Sequence, residues 1–137
     1  MVDDECKSMG HEQCVNISET LESLVNEDLY LYDGEFYTSD ALKESGVDID
    51  SDKVEPATIY DYLTDDSIYN LEFRMHNKSD LNSVSVMVAC GGPNIYIDTG
   101  SGYVELYWWS ITDKVSISDR ACDMVNEWAE ELWGCMA

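Results

Sequence analysis

The stretch from Leu71 to Trp133 restricts the possible folds more than any other part of the chain, because it has the period of β-strands and then that of a helix. Ser83–Cys90 alternates small or polar residues with apolar ones, as a half-buried strand does. Asn94–Thr99 and Tyr103–Trp109 continue the extended pattern, and the glycine-containing segments between them predict tight turns. We therefore expect a run of antiparallel strands.

The third of these strands has two distinct faces. Val104, Leu106 and Trp108 fall on one side, and the other side carries Tyr103, Glu105, Tyr107 and Trp109. A turn is predicted at Thr112–Asp113, followed by a short extension from Lys114 to Ile117. The outward aromatic side chains predict either core against the N-terminal half or an anchor for a protein partner.

The end of the chain predicts an amphipathic helix. Ser118 is a good N-cap, Asp119 suits the helix dipole, and Gly134 is a plausible stop. The residues at helical spacing that form its apolar stripe are Ala121, Cys122, Val125, Trp128, Ala129 and Leu132.

The first half is less regular. Residues 1–15 have no convincing period and predict a loose arm or a poorly defined helix, after which Asn16 and Glu19 form a capping-box pattern. The further elements expected here are a strand and turn over Leu29–Gly34, a helix from Thr38 or Ser39 to Lys43, an acidic loop at Val47–Lys53 and a helix over Ala57–Leu63 that starts after Pro56.

The predicted architecture is a single α+β domain over residues 1–137. Residues 16–67 form an acidic, mainly helical part, and residues 68–137 form an antiparallel sheet of about four strands packed by the last helix. Ile68–Met75 is expected to be the first strand of the sheet, and His76–Asn82 a polar connection.

Charge is the unusual property of the composition. The chain has 29 acids and 7 bases, a net charge of −22, and residues 1–70 alone hold 19 acids and 3 bases. Repulsion of this size opposes compaction and excludes partners that bind through phosphates. We therefore expect no direct binding of nucleic acid, and a solubility surface or salt adaptation is the plain alternative to a binding role.

Cysteine usage and hydropathy predict a cytosolic protein. No stretch is apolar enough to span a bilayer, and the first residues lack the pattern of a signal peptide. Five cysteines are an odd count, so we expect thiols in a reducing compartment, with Cys90 and Cys122 buried.

Two short patterns resemble metal sites and fail on detail. Asp48, Asp50 and Asp52 open like a calcium loop, but Lys53 stands where the turn glycine belongs and Ile59 where the bidentate glutamate belongs. Cys6, His11 and Cys14 supply at most three of the four ligands of a structural zinc site, with Cys135 as a distant fourth. We predict no cofactor, no metal and, because no nucleophile or base has a recognisable context, no enzymatic activity.

Three segments carry a resemblance: Val88–Thr99, Val104–Trp109 and Glu127–Trp133. In these the chain resembles small uncharacterised proteins of phages and mobile elements from Firmicutes-type bacteria. The resemblance covers about the second half of the chain and implies a mobile-element origin. Small acidic proteins of such elements are similar in style to anti-CRISPR and anti-restriction proteins, which are stoichiometric inhibitors of host nucleases.

Charge and resemblance together predict an inhibitor that mimics DNA. Duplex DNA carries one charge per roughly 1.7 Å, which a surface of carboxylates can approach. The expected partner is a basic nucleic-acid-binding protein such as a Cas9-type nuclease; a protein-binding or dimeric assembly module is the alternative, and the oligomeric state stays open. The predicted partner-binding residues are Asp48, Asp50, Asp52, Glu55, Asp61, Asp65, Asp66, Tyr107 and Trp109.

Overall fold

The computed structural model describes residues 4–78 and 80–136. Its elements in chain order are α1 (Asp4–Val25), β1 (Tyr30–Tyr32), β2 (Glu35–Tyr37), α2 (Ser39–Glu44), β3 (Val54–Pro56), α3 (Ile59–Tyr62), β4 (Asn70–Asn77), β5 (Asp80–Ala89), β6 (Asn94–Asp98), β7 (Tyr103–Trp108), β8 (Ile111–Ser116) and α4 (Asp119–Met136).

The main sheet has five strands in the order β4-β5-β6-β7-β8, and each strand is antiparallel to its neighbour. The predicted α+β class is therefore confirmed, with one strand more than the four expected. The additional strand is β8, because the chain is already extended at Thr112 and Asp113, where a turn was predicted. The polar connection predicted at 76–82 is also wrong, since β4 and β5 continue through most of that segment as a hairpin.

Two helices cover one face of this sheet and enclose the core. α1 packs on β7 and β8, α4 packs on β5, and the two helices touch each other. The alternating residues of the inner strands point into this space, so Val84, Ile97, Val104 and Leu106 are completely buried. Trp128 of α4 is also buried, as its place in the predicted apolar stripe requires.

Of the two predictions for the start of the chain, α1 confirms the helix and contradicts the loose arm. The structure has one helix from Asp4 to Val25, so there is no loose arm over residues 4–15 and no new helix begins at Asn16; residues 1–3 of the predicted arm lie outside the described residues. The helix buries one stripe at spacings of three and four residues: Gly10, Cys14, Ser18, Leu21 and Leu24.

The β7–β8 hairpin turns earlier than predicted. Trp109 and Ser110 form a two-residue connection, and β8 runs through Thr112 and Asp113 without a turn there. Trp109 has a φ of 54°, in the left-handed region that a bulky side chain rarely adopts. Trp109 is therefore not the last residue of the strand but the tip of the hairpin.

α4 begins as predicted and ends later. The hydroxyl oxygen of Ser118 accepts the amide of Ala121 at 3.1 Å, and the amide of Ser118 donates to the carboxylate of Glu22 in α1 at 2.8 Å. Gly134 does not stop the helix, which continues to Met136. Nothing lies within 4 Å of a Cβ placed on Gly134, so this position is open on the surface.

The acidic N-terminal half is less helical than predicted, because β2-β1-β3 form a second small sheet. The expected Leu29–Gly34 strand and turn are confirmed as the β1–β2 hairpin, and Thr38 caps α2 as expected. Pro56 ends β3 instead of starting a helix, and α3 begins at Ile59, where Asp61 accepts the amide of Thr58 at 2.8 Å.

β4 is an edge of the main sheet and is irregular. Its register against β5 shifts between Arg74 and Met75 and again between Met75 and Asn77. Such bulges bend and twist a strand locally. The outer edge of β4 is therefore not straight, and another strand cannot pair regularly along it.

Candidate partner-binding surfaces

The seven acids predicted to bind a partner are all exposed, and they fall in two places. Asp48, Asp50 and Asp52 lie in the loop between α2 and β3, and Glu55 lies in β3. Asp61 is in α3, with Asp65 and Asp66 in the turn that follows it. The structure thus keeps these carboxylates on the surface, in two consecutive stretches of the chain.

Some of these carboxylates also have local structural roles. The Asp48 carboxylate accepts the amide of Asp50 at 3.0 Å, which closes a turn in the acidic loop. Asp61 caps the start of α3. Charge and backbone geometry are therefore coupled at these two positions.

A denser row of acids lies on α4, where no binding role was predicted. We define the α4 acid row as its five exposed members: Asp119, Asp123, Glu127, Glu130 and Glu131. At 100° per residue they fall within a sector of about 120°, opposite the buried stripe. At about 1.5 Å per residue they lie within roughly 18 Å of helix axis, or about one carboxylate per 4 Å.

This spacing approaches the one phosphate per about 3.4 Å of a single DNA strand. Arg120 is the one base between Asp119 and Glu131, and its guanidinium donates to the carbonyl of Val25 at 3.4 Å. The row is held on a helix whose other face is core, so its charges keep a fixed arrangement.

α3 extends this acidic surface. The Tyr60 hydroxyl donates a hydrogen bond to the carboxylate of Glu131, so α3 lies against the later turns of α4. This contact and the Glu131 charge raise the pKa of Tyr60, since both disfavour a phenolate. Asp61 directly follows Tyr60, so one of the predicted partner-binding acids and the α4 acid row contribute to one negative region.

The second candidate surface is the face of the main sheet that points away from the helices. The N-terminal half does not cover it, because α1 packs on the opposite face, where Leu106 meets Gly10. Tyr96 and Tyr107 meet there edge to face at 5.9 Å between ring centroids. Of the two predicted roles for these aromatic side chains, core against the N-terminal half is therefore wrong.

An ion pair ties this open face together across three strands. Arg74 of β4 donates twice to Asp98 of β6, at 2.9 and 2.7 Å, and once to Ser83 of β5 at 3.3 Å. The amides of Gly100 and Ser101 also donate to Asp98. The hydrogen bonds from Arg74 hold the pKa of Asp98 below its usual value, although burial acts against them.

The β7–β8 hairpin carries the most exposed aromatic side chains of this region. Trp109 is 77% exposed at the tip, and its ring lies 5.9 Å from that of Trp108. Tyr107 is 46% exposed on the open face. A strained, exposed tryptophan at a hairpin tip is unusual, and such outliers concentrate at functional sites.

Two clefts flank this hairpin and share Thr112 and Asp113. The one on the α1 side has a volume of about 560 Å³ and contains His11, whose Nδ1 lies 2.6 Å from the Asp113 carboxylate. The one on the open face has a volume of about 540 Å³ and is also lined by Glu105, Tyr107 and Lys114. The hairpin therefore separates two concave surfaces.

The candidate zinc residues are engaged in structure. Cys14 is completely buried on α1, and burial together with the nearby Asp113 carboxylate raises the pKa of its thiol to about 11. Within residues 4–78 and 80–136, no group of three His, Cys, Asp or Glu side chains could hold a metal ion. Cys90, predicted to be buried, is exposed because it follows the end of β5; Cys122 is partly buried.

Among the described residues, no helix is both long and apolar enough to cross a bilayer. Comparison with protein-family models, with curated proteins and with solved structures finds no match to this chain.

Sequence reasoning missed two functional candidates, the α4 acid row and Glu105. The α4 acids were assigned to the outer side of the helix but not to a site, although their common sector could be computed from the spacing. Glu105 and Lys114 become neighbours only through the register of β7 and β8, which the misplaced turn concealed.

Proposed function

We propose that this chain is an acidic inhibitor protein from a phage or mobile element. Its partner is a nucleic-acid-handling defence nuclease of the bacterial host, with a Cas9-type CRISPR effector as the most specific candidate. It acts by stoichiometric occupation of a basic surface in the host cytoplasm, without catalysis, cofactor or metal.

The observation that carries this proposal is the α4 acid row, with its carboxylate spacing close to that of phosphates along a DNA strand. A folded helix presents these charges without the cost of ordering a flexible chain. The net charge of −22 adds long-range attraction to any basic channel and speeds the encounter.

Cas9-type effectors offer suitable targets for such a surface. They hold a guide–target heteroduplex in a positively charged channel and read a short duplex motif with arginine side chains. A protein that fills either place prevents DNA from entering. The α4 acid row, Asp61, Asp65 and Asp66 form the main contact in this proposal, and the acidic loop with Glu55 contributes charge at its edge.

The testing experiment is a DNA-cleavage assay with a panel of CRISPR and restriction nucleases and an excess of the protein. We expect stoichiometric inhibition of one class of nuclease, with a Kd that increases steeply as the salt concentration rises. A variant carrying Asp123→Lys, Glu127→Lys and Glu130→Lys should not inhibit. Full-strength cleavage by every nuclease in the presence of the wild-type protein contradicts the proposal.

The alternative function is a dimeric assembly module, and the exposed aromatic side chains Tyr107 and Trp109 favour it. A dimer through this face would bring two chains of net charge −22 together, so it should be most stable at high salt. Light scattering at low and high salt separates the two proposals: a stable dimer without affinity for basic proteins supports the assembly module.

A further inference from the structure

We infer that the cleft on the open sheet face, between Glu105, Tyr107 and Thr112, binds an arginine side chain of the partner protein. That the partner is a basic protein rests on the function proposed above. The chemistry of the cleft rests on the hairpin alone.

The carboxylate in this cleft is available. Glu105 lies directly across from Lys114 in the β7–β8 register, an arrangement that usually makes a cross-strand ion pair. Lys114 instead lies over the ring of Tyr103, with its Nζ 4.4 Å from the ring centroid. Within residues 4–78 and 80–136, Glu105 has no hydrogen bond or ion pair with any side chain, although it is half-buried.

An aromatic ring stands beside this carboxylate. Tyr107 is two residues further along β7, so its side chain points to the same face as that of Glu105. Its edge-to-face contact with Tyr96 fixes the ring, and nearly half of the residue remains exposed. The charge of Glu105 also raises the pKa of Tyr107, as expected for groups this close.

A guanidinium matches both groups. It is planar, donates two parallel hydrogen bonds to a carboxylate and stacks on aromatic rings, whereas an ammonium has neither the fork nor the flat surface. In the cleft, an arginine would pair with Glu105 and stack on Tyr107. Asp113 is already occupied by His11 and by the amide of Lys114, so Glu105 is the pairing group.

Charge decides between this occupant and the others. A second copy of the chain would bring another −22 to a face that already includes Glu105, and a nucleic acid would bring phosphates. Both are repelled at low and moderate salt. A basic protein segment is attracted, and arginine is among the residues most enriched at binding hot spots.

The test is NMR titration of the isotope-labelled protein with the peptide acetyl-Gly-Arg-Gly-amide, with the same peptides containing lysine or the uncharged citrulline as comparisons. We expect the largest amide shifts in residues 103–114 with the arginine peptide, weaker ones with lysine and none with citrulline. Glu105→Gln should raise the Kd of the arginine peptide about tenfold. Tyr107→Phe should bind the arginine peptide as tightly as the wild type does, because the aromatic ring remains. Tyr107→Ala should bind it more weakly.

Glu44→Gln is the matched control, since it removes one exposed carboxylate from α2, outside both the α4 acid row and the cleft. The inference is overturned if this control weakens the peptide as much as Glu105→Gln does. It is also overturned if the shifts spread over α4 and the acidic loop, or if lysine binds equally well. Because the titration uses no nuclease, shifts confined to the hairpin support the cleft even if every cleavage assay in the panel is negative.

Discussion

Gly10 of α1 lies directly on the side chain of Leu106 in β7: a Cβ added to Gly10 would be 2.7 Å from the Cδ2 atom of Leu106. Both residues are buried, and this contact sets how closely the first helix approaches the sheet. We predict that the overpacking in Gly10→Ala costs about 1 to 3 kcal/mol of stability. Because alanine also gains about 1 kcal/mol in helix propensity, we expect a net loss of about 0 to 2 kcal/mol.

Gly134→Ala is the matched control for that change. It is also a helical glycine, but nothing lies within 4 Å of its added Cβ. We expect a gain in stability of about 0.5 to 1 kcal/mol, because only backbone entropy changes. Urea denaturation of both variants checks this, and equal effects of the two changes would argue against a close helix–sheet contact at Gly10.

The Arg74–Asp98 pair predicts a loss of stability in acid. The folded pKa of Asp98 is held below its unfolded value of about 3.9, so the pair contributes above about pH 4 and the contribution is lost as pH falls through the folded pKa. Asp98→Asn should lower stability at pH 7 by about 1 to 3 kcal/mol. The difference between wild type and variant, measured in urea at pH 7 and pH 3, should shrink at the lower pH.

Glu72→Gln provides the comparison for this pair. Glu72 also contacts Arg74, at 3.2 Å, but its side chain is mostly exposed. We expect an effect of about 0 to 1 kcal/mol with little dependence on pH. A Glu72 effect as large as that of Asp98 would mean that the net charge of the region, and not the bidentate geometry, determines stability.

Exposed cysteines should react with a thiol reagent faster than buried ones. Cys90 and Cys135 are exposed, whereas Cys14 is buried and the pKa of its thiol is about 11. At pH 8 we expect iodoacetamide to modify Cys90 and Cys135 first, and Cys14 only after the protein unfolds, because the thiolate is the reacting species. Mass spectrometry of a time course measures this order, and rapid labelling of Cys14 in the native protein would contradict the packing of α1 on the sheet.

Two triple charge reversals test where the partner binds. Asp123→Lys with Glu127→Lys and Glu130→Lys alters the α4 acid row, and Asp48→Lys with Asp50→Lys and Asp52→Lys alters the acidic loop. Each set changes the net charge from −22 to −16, so only the location differs. We expect the α4 set to abolish nuclease inhibition and the loop set mainly to slow association, as charges at the rim do.

Circular dichroism should show that both sets are folded, because all six positions are exposed. Trp128→Ala provides an unfolded reference, since it removes a buried aromatic side chain at a cost of about 3 to 5 kcal/mol. If the variant with the three reversals in the acidic loop inhibits the nuclease less than the α4 variant does, the main contact lies on the acidic loop.

Trp109→Asn tests whether the hairpin tip is kept for binding. Asparagine adopts the left-handed region more readily than tryptophan, so we expect stability to stay constant or rise by up to about 1 kcal/mol. Affinity for the partner should fall, because an exposed aromatic anchor is lost. Unchanged affinity with raised stability would place the partner entirely on the acidic surface.

The sheet and α4 could be predicted because their core residues are large and apolar at a clear period. α1 could not, since three of the five residues in its buried stripe are Gly10, Cys14 and Ser18, which have little hydrophobic signal. Ser18 is accommodated through a hydrogen bond from its hydroxyl to the carbonyl of Ser116 at 2.9 Å, a contact across 98 residues of chain. Only the tertiary structure makes such a helix stable.

The candidate surfaces divide in the same way. Exposure of the predicted acids follows from their charge, but the small sheet that carries Glu55 consists of three-residue strands, which are too short to show a clear period in the sequence. The cleft at Glu105 depends on a turn at Trp109. This residue has a left-handed conformation, but it is not one of the glycine or asparagine residues that usually predict one. A turn cannot be predicted from propensity when its residue, like this tryptophan, rarely adopts the conformation that the turn requires.

The two bulges of β4 have a consequence for protein handling. An open sheet edge can recruit the same edge of another molecule and seed fibrils, above all when acid or high salt removes the repulsion between chains. Shifted registers at Met75 and Asn77 misalign the hydrogen-bonding groups that such stacking needs. The protein should therefore tolerate the concentrations and salt of crystallisation without forming amyloid along this strand.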